Sequence, residues 1–157
     1  MNILLREITN GDMAIVLSWR NNPLVYAGFY NQGYMKRGPI PWEEHLAWWE
    51  SRHNWQRWII QLNDGHTTRD VGCIQISHLD GWNPELGIYI GDIGLWGKGV
   101  GKQALLMSLE WLREQNYKYA NATILKSNER SLKLFRSVGF EVVGPAREAE
   151  VRVEMKL

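Results

Sequence analysis

The chain has 157 residues, 45% hydrophobic and 22% charged, ordinary globular usage that suits one domain with one core and argues against disorder or a coiled coil. Lys and Arg number 18 against 17 Asp and Glu, a net charge of +1, so no global field draws in nucleic acid or a membrane surface. The opening run MNILLREITN is interrupted by Arg6 and Glu7, too soon for a secretory leader or a membrane span, and the lone Cys73 excludes an internal disulfide, which fits the cytoplasm.

ILLREI, residues 3–8, reads as a first strand. Thr9 with Asp12 three positions on is a capping-box pattern that opens a helix running to about Trp19. RNNPLVYAGFYNQGYMKRGPIP is rich in Asn, Gly and Pro and reads mainly as loop, with room for a short helical turn. A second helix follows from Pro41, with Trp42, His45, Leu46 and Trp49 on one face and Trp48 off that stripe. WQRWIIQL and DVGCIQISH are strands, joined through an Asn63-Asp64-Gly65 turn whose polar insert is read through Arg69.

ELGIYIGD is a fourth strand, followed by a glycine-rich turn and a long helix from about Gly99 to Gln115. YKYANATIL is a fifth strand, NERSLKLFRSV a helix stopped at Gly139, and FEVVG and AEVRVEMKL the closing strands. In the last, Val151, Val153, Met155 and Leu157 alternate with Arg152, Glu154 and Lys156, the period of a half-buried strand. The sum is one α/β (α+β) domain over residues 1–157, with helices covering a central sheet.

His45, His53, His66 and His78 lack metal-ligand spacing and no Cys pair accompanies them, so no metal is expected. Cys73, in the strand-like VGCIQIS, is read as a buried, inert thiol. The chain carries nine tryptophans; such rings fill cores and also line pockets for planar or ring-shaped ligands.

The stretch GLWGKGVGKQAL, residues 94–105, points to a phosphate. A Walker loop needs glycine five positions before Gly-Lys, but Asp92 and Trp96 stand there, and Gln103 replaces the magnesium-binding hydroxyl. Gly99, Gly101 and Ala104 fit the dinucleotide spacing, yet no acid follows about twenty positions on, where KYANATIL lies. Coenzyme A suits the turn better. Glycines at 97, 99 and 101 let backbone N–H groups approach a pyrophosphate at a helix start, where the dipole favours negative charge.

Loop and helix order here resemble the GNAT superfamily of N-acetyltransferases. Its pyrophosphate loop runs Arg or Gln, two residues, Gly, one residue, then Gly or Ala; here it reads Trp96-Gly97-Lys98-Gly99-Val100-Gly101. Trp96 departs from the usual first residue, although WGKG loops resemble a subgroup that includes ribosomal-protein alanine acetyltransferases. NERSLKLFRSVGF resembles the Asn-led fourth helix ending in Gly-Phe. The resemblance implies a mixed, mostly antiparallel sheet of about seven strands flanked by about four helices and splayed between strands four and five. It further implies acetyl-CoA held by strand-four backbone at Ile88, Tyr89 and Ile90, by the loop from Trp96 to Lys102, and by Asn128 and Phe135. Asn128 reads equally as a helix cap.

What the resemblance implies chemically is direct attack of an amine on the thioester. Glu85, in PELGIY, is the first candidate to receive the amine proton through water, with His78 and Asp92 weaker. Many relatives place a proton-donating Tyr where this chain has Phe135, and its absence keeps a non-catalytic acyl-CoA sensor open. LSWRNN and IPWEEHLAWW resemble a subset that acetylates amino-sugar nucleotides, making Trp19, Arg20, Asn21, His45 and Trp48 candidate acceptor contacts. A protein N-terminus or an aminoglycoside stays open, though the region between these motifs lacks the acids an aminoglycoside would want. A homodimer is compatible with this reading.

Overall fold

The computed structural model describes residues 2–28, 39–51, 53–147 and 149–157. Seven strands form one sheet: β1 Asn2–Glu7, β2 Gln56–Asn63, β3 Thr68–Ser77, β4 Glu85–Ile90, β5 Tyr119–Leu125, β6 Glu141–Pro145 and β7 Glu150–Lys156, in the order β1-β2-β3-β4-β5-β7-β6. Among the described residues there are five helices, α1 Met13–Arg20, α2 Pro23–Tyr26, α3 Trp42–Glu50, α4 Val100–Glu114 and α5 Glu129–Ser137. That is one more than the sequence reading counted, because Pro23–Tyr26 forms a full turn in the stretch read mainly as loop. Asn22 caps it by accepting from the Leu24 N–H at 3.0 Å, and Pro23 sits where a missing N–H costs nothing. Residues 29–38 of that stretch lie outside the described residues.

The capping box forms as the sequence predicts: the Asp12 carboxylate accepts the Thr9 N–H at 2.8 Å, over a 3-10 turn that leads into α1. Arg6 donates to both Asp12 oxygens, at 2.7 and 2.9 Å, and this contact first of all holds the Asp12 carboxyl below its usual range. Two expectations need correction. The polar insert ends before Arg69, because Asp64 collects the His66 and Thr67 N–H groups and closes the turn so that β3 begins at Thr68. Trp42 is 42% exposed rather than on the core face. α3 meets α1 through His45, bonded to the Met13 carbonyl, and the 3-10 turn before α1 through Trp49, bonded to Asn10, and Trp42 lies most of a turn before His45 and about two turns before Trp49.

The two sheet faces have separate work. On one, the α4 stripe Val100, Ala104, Leu105, Leu109 and Leu112 packs with Leu86, Phe135 and Phe140 into the main core. On the other, Val16 and Trp19 of α1 cover Ile59, with Tyr89 against them. Strand alternation divides β4 in the same way, Leu86, Ile88 and Ile90 to the first face and Tyr89 to the second.

Every neighbouring pair in the sheet is antiparallel except β4 and β5, which run parallel and register at Glu85↔Asn121. Asn121 pins this point, its N–H donating to the Pro84 carbonyl at 3.0 Å and its amide to the Asn83 carbonyl at 2.8 Å. Beyond it the strands part. Since the Pro84 carbonyl faces β5, the period-two alternation turns the N–H and C=O of Ile88 toward the same gap. The predicted splay is therefore present, opened by a single anchored pair.

Candidate functional site

The loop after β4 is built to bring a ligand close to backbone. Asp92 accepts the Gly94 N–H at 3.1 Å and starts a 3-10 turn over Ile93–Leu95. Gly97 and Gly99 then take φ of +77° and +85°, and a Cβ built on either would meet nothing within 4 Å. Left-handed backbone and open space together are what glycine provides and a side chain would remove. α4 begins at Val100, so the N–H groups of Val100, Gly101 and Lys102 are the first-turn donors without helical acceptors, at the positive end of the dipole.

This turn borders a cleft of about 620 Å³ that runs past Ile88, Tyr89 and Ile90 to the first turns of α5. Of the residues expected to hold a coenzyme, Ile88, Tyr89, Ile90, Trp96, Gly97, Gly99, Val100, Gly101, Lys102 and Asn128 line it. Lys98 does not; its N–H turns back to the Leu95 carbonyl at 3.3 Å. Asn128 fills its capping role, accepting from the Ser131 N–H at 3.1 Å, and gives one amide hydrogen to the Gly28 carbonyl at 3.1 Å. Trp96 donates its indole N–H to the Ile90 carbonyl at 2.9 Å, fixing the ring at the rim of the splay.

A second cavity of about 390 Å³ opens on the α1 side and meets the first at Gly28, Ile88, Tyr89, Asn128 and Ser131. Arg20, Trp48, Trp55 and Gln75 line its outer part and Phe135 its floor. The Arg20 and Arg57 guanidiniums lie 4.2 and 4.1 Å from the centre of the Trp48 ring, and Arg57 also 3.8 Å from Trp55. Arg57 is buried behind the lining, its Nε donating to Gln75 at 3.1 Å. None of the described residues lining this cavity is acidic.

His45 has no exposed surface and so touches no ligand. Its Nε2 lies 2.9 Å from the Met13 carbonyl and its Nδ1 3.0 Å from Arg20 Nη1. A guanidinium only donates, so Nδ1 accepts, Nε2–H donates, and the ring is neutral. Burial chiefly, then the charge of Arg20, pushes its pKa down, in agreement. Asn21 is likewise a clamp, exchanging two hydrogen bonds with the backbone of Ile40 at 2.8 and 3.1 Å. Trp19 is a core residue, so close to Gly91 that a Cβ there would fall 2.2 Å from the ring. Of the predicted acceptor contacts, Arg20 and Trp48 reach the cavity. Glu85 stands at the start of β4, half-buried and outside both linings. Phe135 is buried edge-to-face on Phe140, ring centres 5.0 Å apart. Burial pushes the Cys73 thiol up to about 11, which keeps it protonated and inert.

A splayed β4–β5 pair, a glycine turn on a helix start and a cleft between them define an acyl-CoA-type transferase fold. The acetyltransferase (GNAT) domain model matches residues 2–141, and the chain belongs to that family. An uncharacterised protein of Methanocaldococcus jannaschii is 44% identical over 155 residues, 99% of this chain, and the chain spans 31% of that relative's length. A crystallised domain from the same organism superposes with a TM-score of 0.95 at 44% identity, covering 99% of both chains. The fold also matches aminoglycoside acetyltransferase AAC(6′)-Ib in complex with coenzyme A, TM-score 0.81 at 16% identity over 99% and 95% of the two chains. Spermidine N-acetyltransferase from Vibrio cholerae, in complex with coenzyme A and spermine, gives 0.81 at 14% identity over 98% and 95%. No helix among the described residues is long and apolar enough to cross a membrane.

Proposed function

We propose that this domain moves an acetyl group from acetyl-CoA to a primary amine by direct attack, and that the acceptor is an amino-sugar nucleotide. One observation carries the donor: the open, left-handed Gly97 and Gly99 face a cleft that meets, at Ile88 and Tyr89, a second cavity lined by Ala122, Thr123 and Ile124 of β5. The pyrophosphate rests on first-turn N–H groups of α4, and the pantetheine arm extends β4 by bonding to Ile88. Bound acetyl-CoA supplies an activated thioester; the protein's part is to position it beside the amine and to handle two protons. Glu85, on the same face of β4 as Tyr89, takes the amine proton through water.

The acceptor follows from charge. A cavity with Arg20 and two indoles and without a carboxylate suits an anion carrying rings, such as a nucleoside diphosphate bearing an amino sugar. It repels polycations of the kind bound by the spermine and aminoglycoside complexes. Phe135 favours a second reading, a sensor that binds acyl-CoA without turnover. Thiol release from acetyl-CoA is measured across amino-sugar nucleotides, polyamines, aminoglycosides and N-terminal peptides. Turnover confined to the anionic sugars supports the proposal. Polyamine turnover overturns the acceptor, and coenzyme binding without turnover on any amine favours the sensor.

A further inference from the structure

Phe135 offers a departing sulfur no hydroxyl, but one stands a helical turn away. Ser131 and Phe135 are four residues apart on α5, so both side chains leave the same face. Ser131 lines both cavities, where donor and acceptor must meet. Its backbone is held there by the Asn128 cap at 3.1 Å, and among the described residues no hydrogen bond occupies its Oγ. Among the described residues, the other hydroxyl shared by both linings, Tyr89, lies beside Cys73 under Trp19 and is engaged on the α1 face.

We propose that Ser131 Oγ meets the leaving sulfur and relays the proton to it, which rests on the acetyl-transfer reading above. An alcohol is too weak an acid to give a proton outright to a thiolate, whose conjugate acid titrates at about 8.5 in the comparable cysteine side chain. Ser131 avoids that step by exchange. As the nitrogen–carbon bond forms and the carbon–sulfur bond breaks, Ser131 gives its hydroxyl hydrogen to sulfur and takes the hydrogen that nitrogen releases. Amide and thiol result, and Ser131 ends as the hydroxyl it began as. Meanwhile its O–H stabilises negative charge on sulfur, so the same contact favours the thiolate of bound coenzyme A.

Two readouts test this on the full chain, with Ser131→Ala, Ser131→Thr and the double variant Ser131→Ala/Phe135→Tyr. The first is turnover on the best amine from the panel. Ser131→Ala is expected to lower kcat about 100-fold, the size of one acid–base contribution, with KM for acetyl-CoA unchanged within about twofold; the Thr variant keeps most activity and the double variant recovers about tenfold. The second is the ultraviolet absorbance of the coenzyme A thiolate bound to each protein, titrated without acceptor. At a fixed pH near 8, Ser131→Ala should hold about threefold less thiolate than the parent or the Thr variant. An unchanged thiolate fraction overturns the proposal, as does Ser131→Ala turnover within twofold of the parent. If the parent acetylates no amine, the transferase reading fails by itself, and the thiolate titration still decides whether Ser131 contacts sulfur.

Discussion

The Arg130 guanidinium lies 3.4 Å from the centre of the Trp96 ring. Trp96 stands in the loop where the resemblance led one to expect Arg or Gln, and α5 brings a positive charge to that place. Arg130 lines the donor cleft beside Lys133, on the side where phosphate groups of a coenzyme would pass. Arg130→Ala is expected to weaken coenzyme A binding about tenfold by calorimetry and to flatten its dependence on salt, while the melting temperature moves by no more than about 2 °C, since an exposed cation–π pair contributes only about 0.5–1 kcal/mol. Unchanged affinity at low salt would remove Arg130 from the donor site.

Much of this arrangement was legible in the sequence because it rests on local rules. Glycine at 97 and 99 answers a backbone need, the Asn128 cap is a one-turn interaction, and strand alternation sorts β4 into two faces without knowledge of its neighbours. The acceptor side resisted for the opposite reason. Arg57 in WQRWIIQL looks like a solvent-facing residue of an alternating strand, and only α3 folding over β2 makes it a buried cation between Trp48 and Trp55. His45 stood among the acceptor candidates through the resemblance of IPWEEHLAWW, and the partners that occupy both its ring nitrogens, 25 and 32 residues away along the chain, follow from no local rule. Ser131 carries no motif of its own; its position matters only because two cavities meet there.

Glu85 offers a separable test of the first proton. It pairs with Ser77 across β3 and with Asn121 across β5, so its backbone is fixed at the one point where the splay is closed. Replacing the carboxylate by the isosteric amide keeps those backbone contacts and removes the proposed base. Glu85→Gln is expected to lower kcat about tenfold or more near neutral pH, with coenzyme A affinity unchanged and the loss shrinking as rising pH supplies free amine. Equal rates at every pH would take Glu85 out of the mechanism.

Trp48 is the ring that both guanidiniums share, and of the two cavities it lines only the second, proposed to take the acceptor. Trp48→Ala therefore separates the two sites. KM for an anionic acceptor should rise about tenfold, equivalent to about 1.4 kcal/mol of lost ring contact, while the dissociation constant of coenzyme A stays within about twofold. The stack also contributes to stability, so a melting temperature lower by several degrees is expected. A matching loss of coenzyme affinity would mean that the two cavities behave as one.

The His45–Arg20 contact makes stability depend on pH in a defined direction. His45 is neutral in the folded chain and its pKa is held below the ordinary 6.5, by burial first and then by Arg20. Below about 6.5 the unfolded chain binds a proton that the folded chain refuses. Stability contributed by the neutral ring is therefore whole above that value and falls as pH drops toward the folded pKa. A proton on Nδ1 would set two donors face to face, 3.0 Å apart, with Arg57 also near the ring. Asp12 works in the same direction but lower: Arg6 holds its carboxyl below 3.8, so its contribution begins to be lost only as pH falls through about 4. Between pH 7 and 5 the melting temperature should fall in the parent chain and fall less in His45→Gln, whose baseline is lower but whose amide does not titrate. Parallel slopes in the two proteins over that window would show that the imidazole takes up its proton without disturbing Arg20.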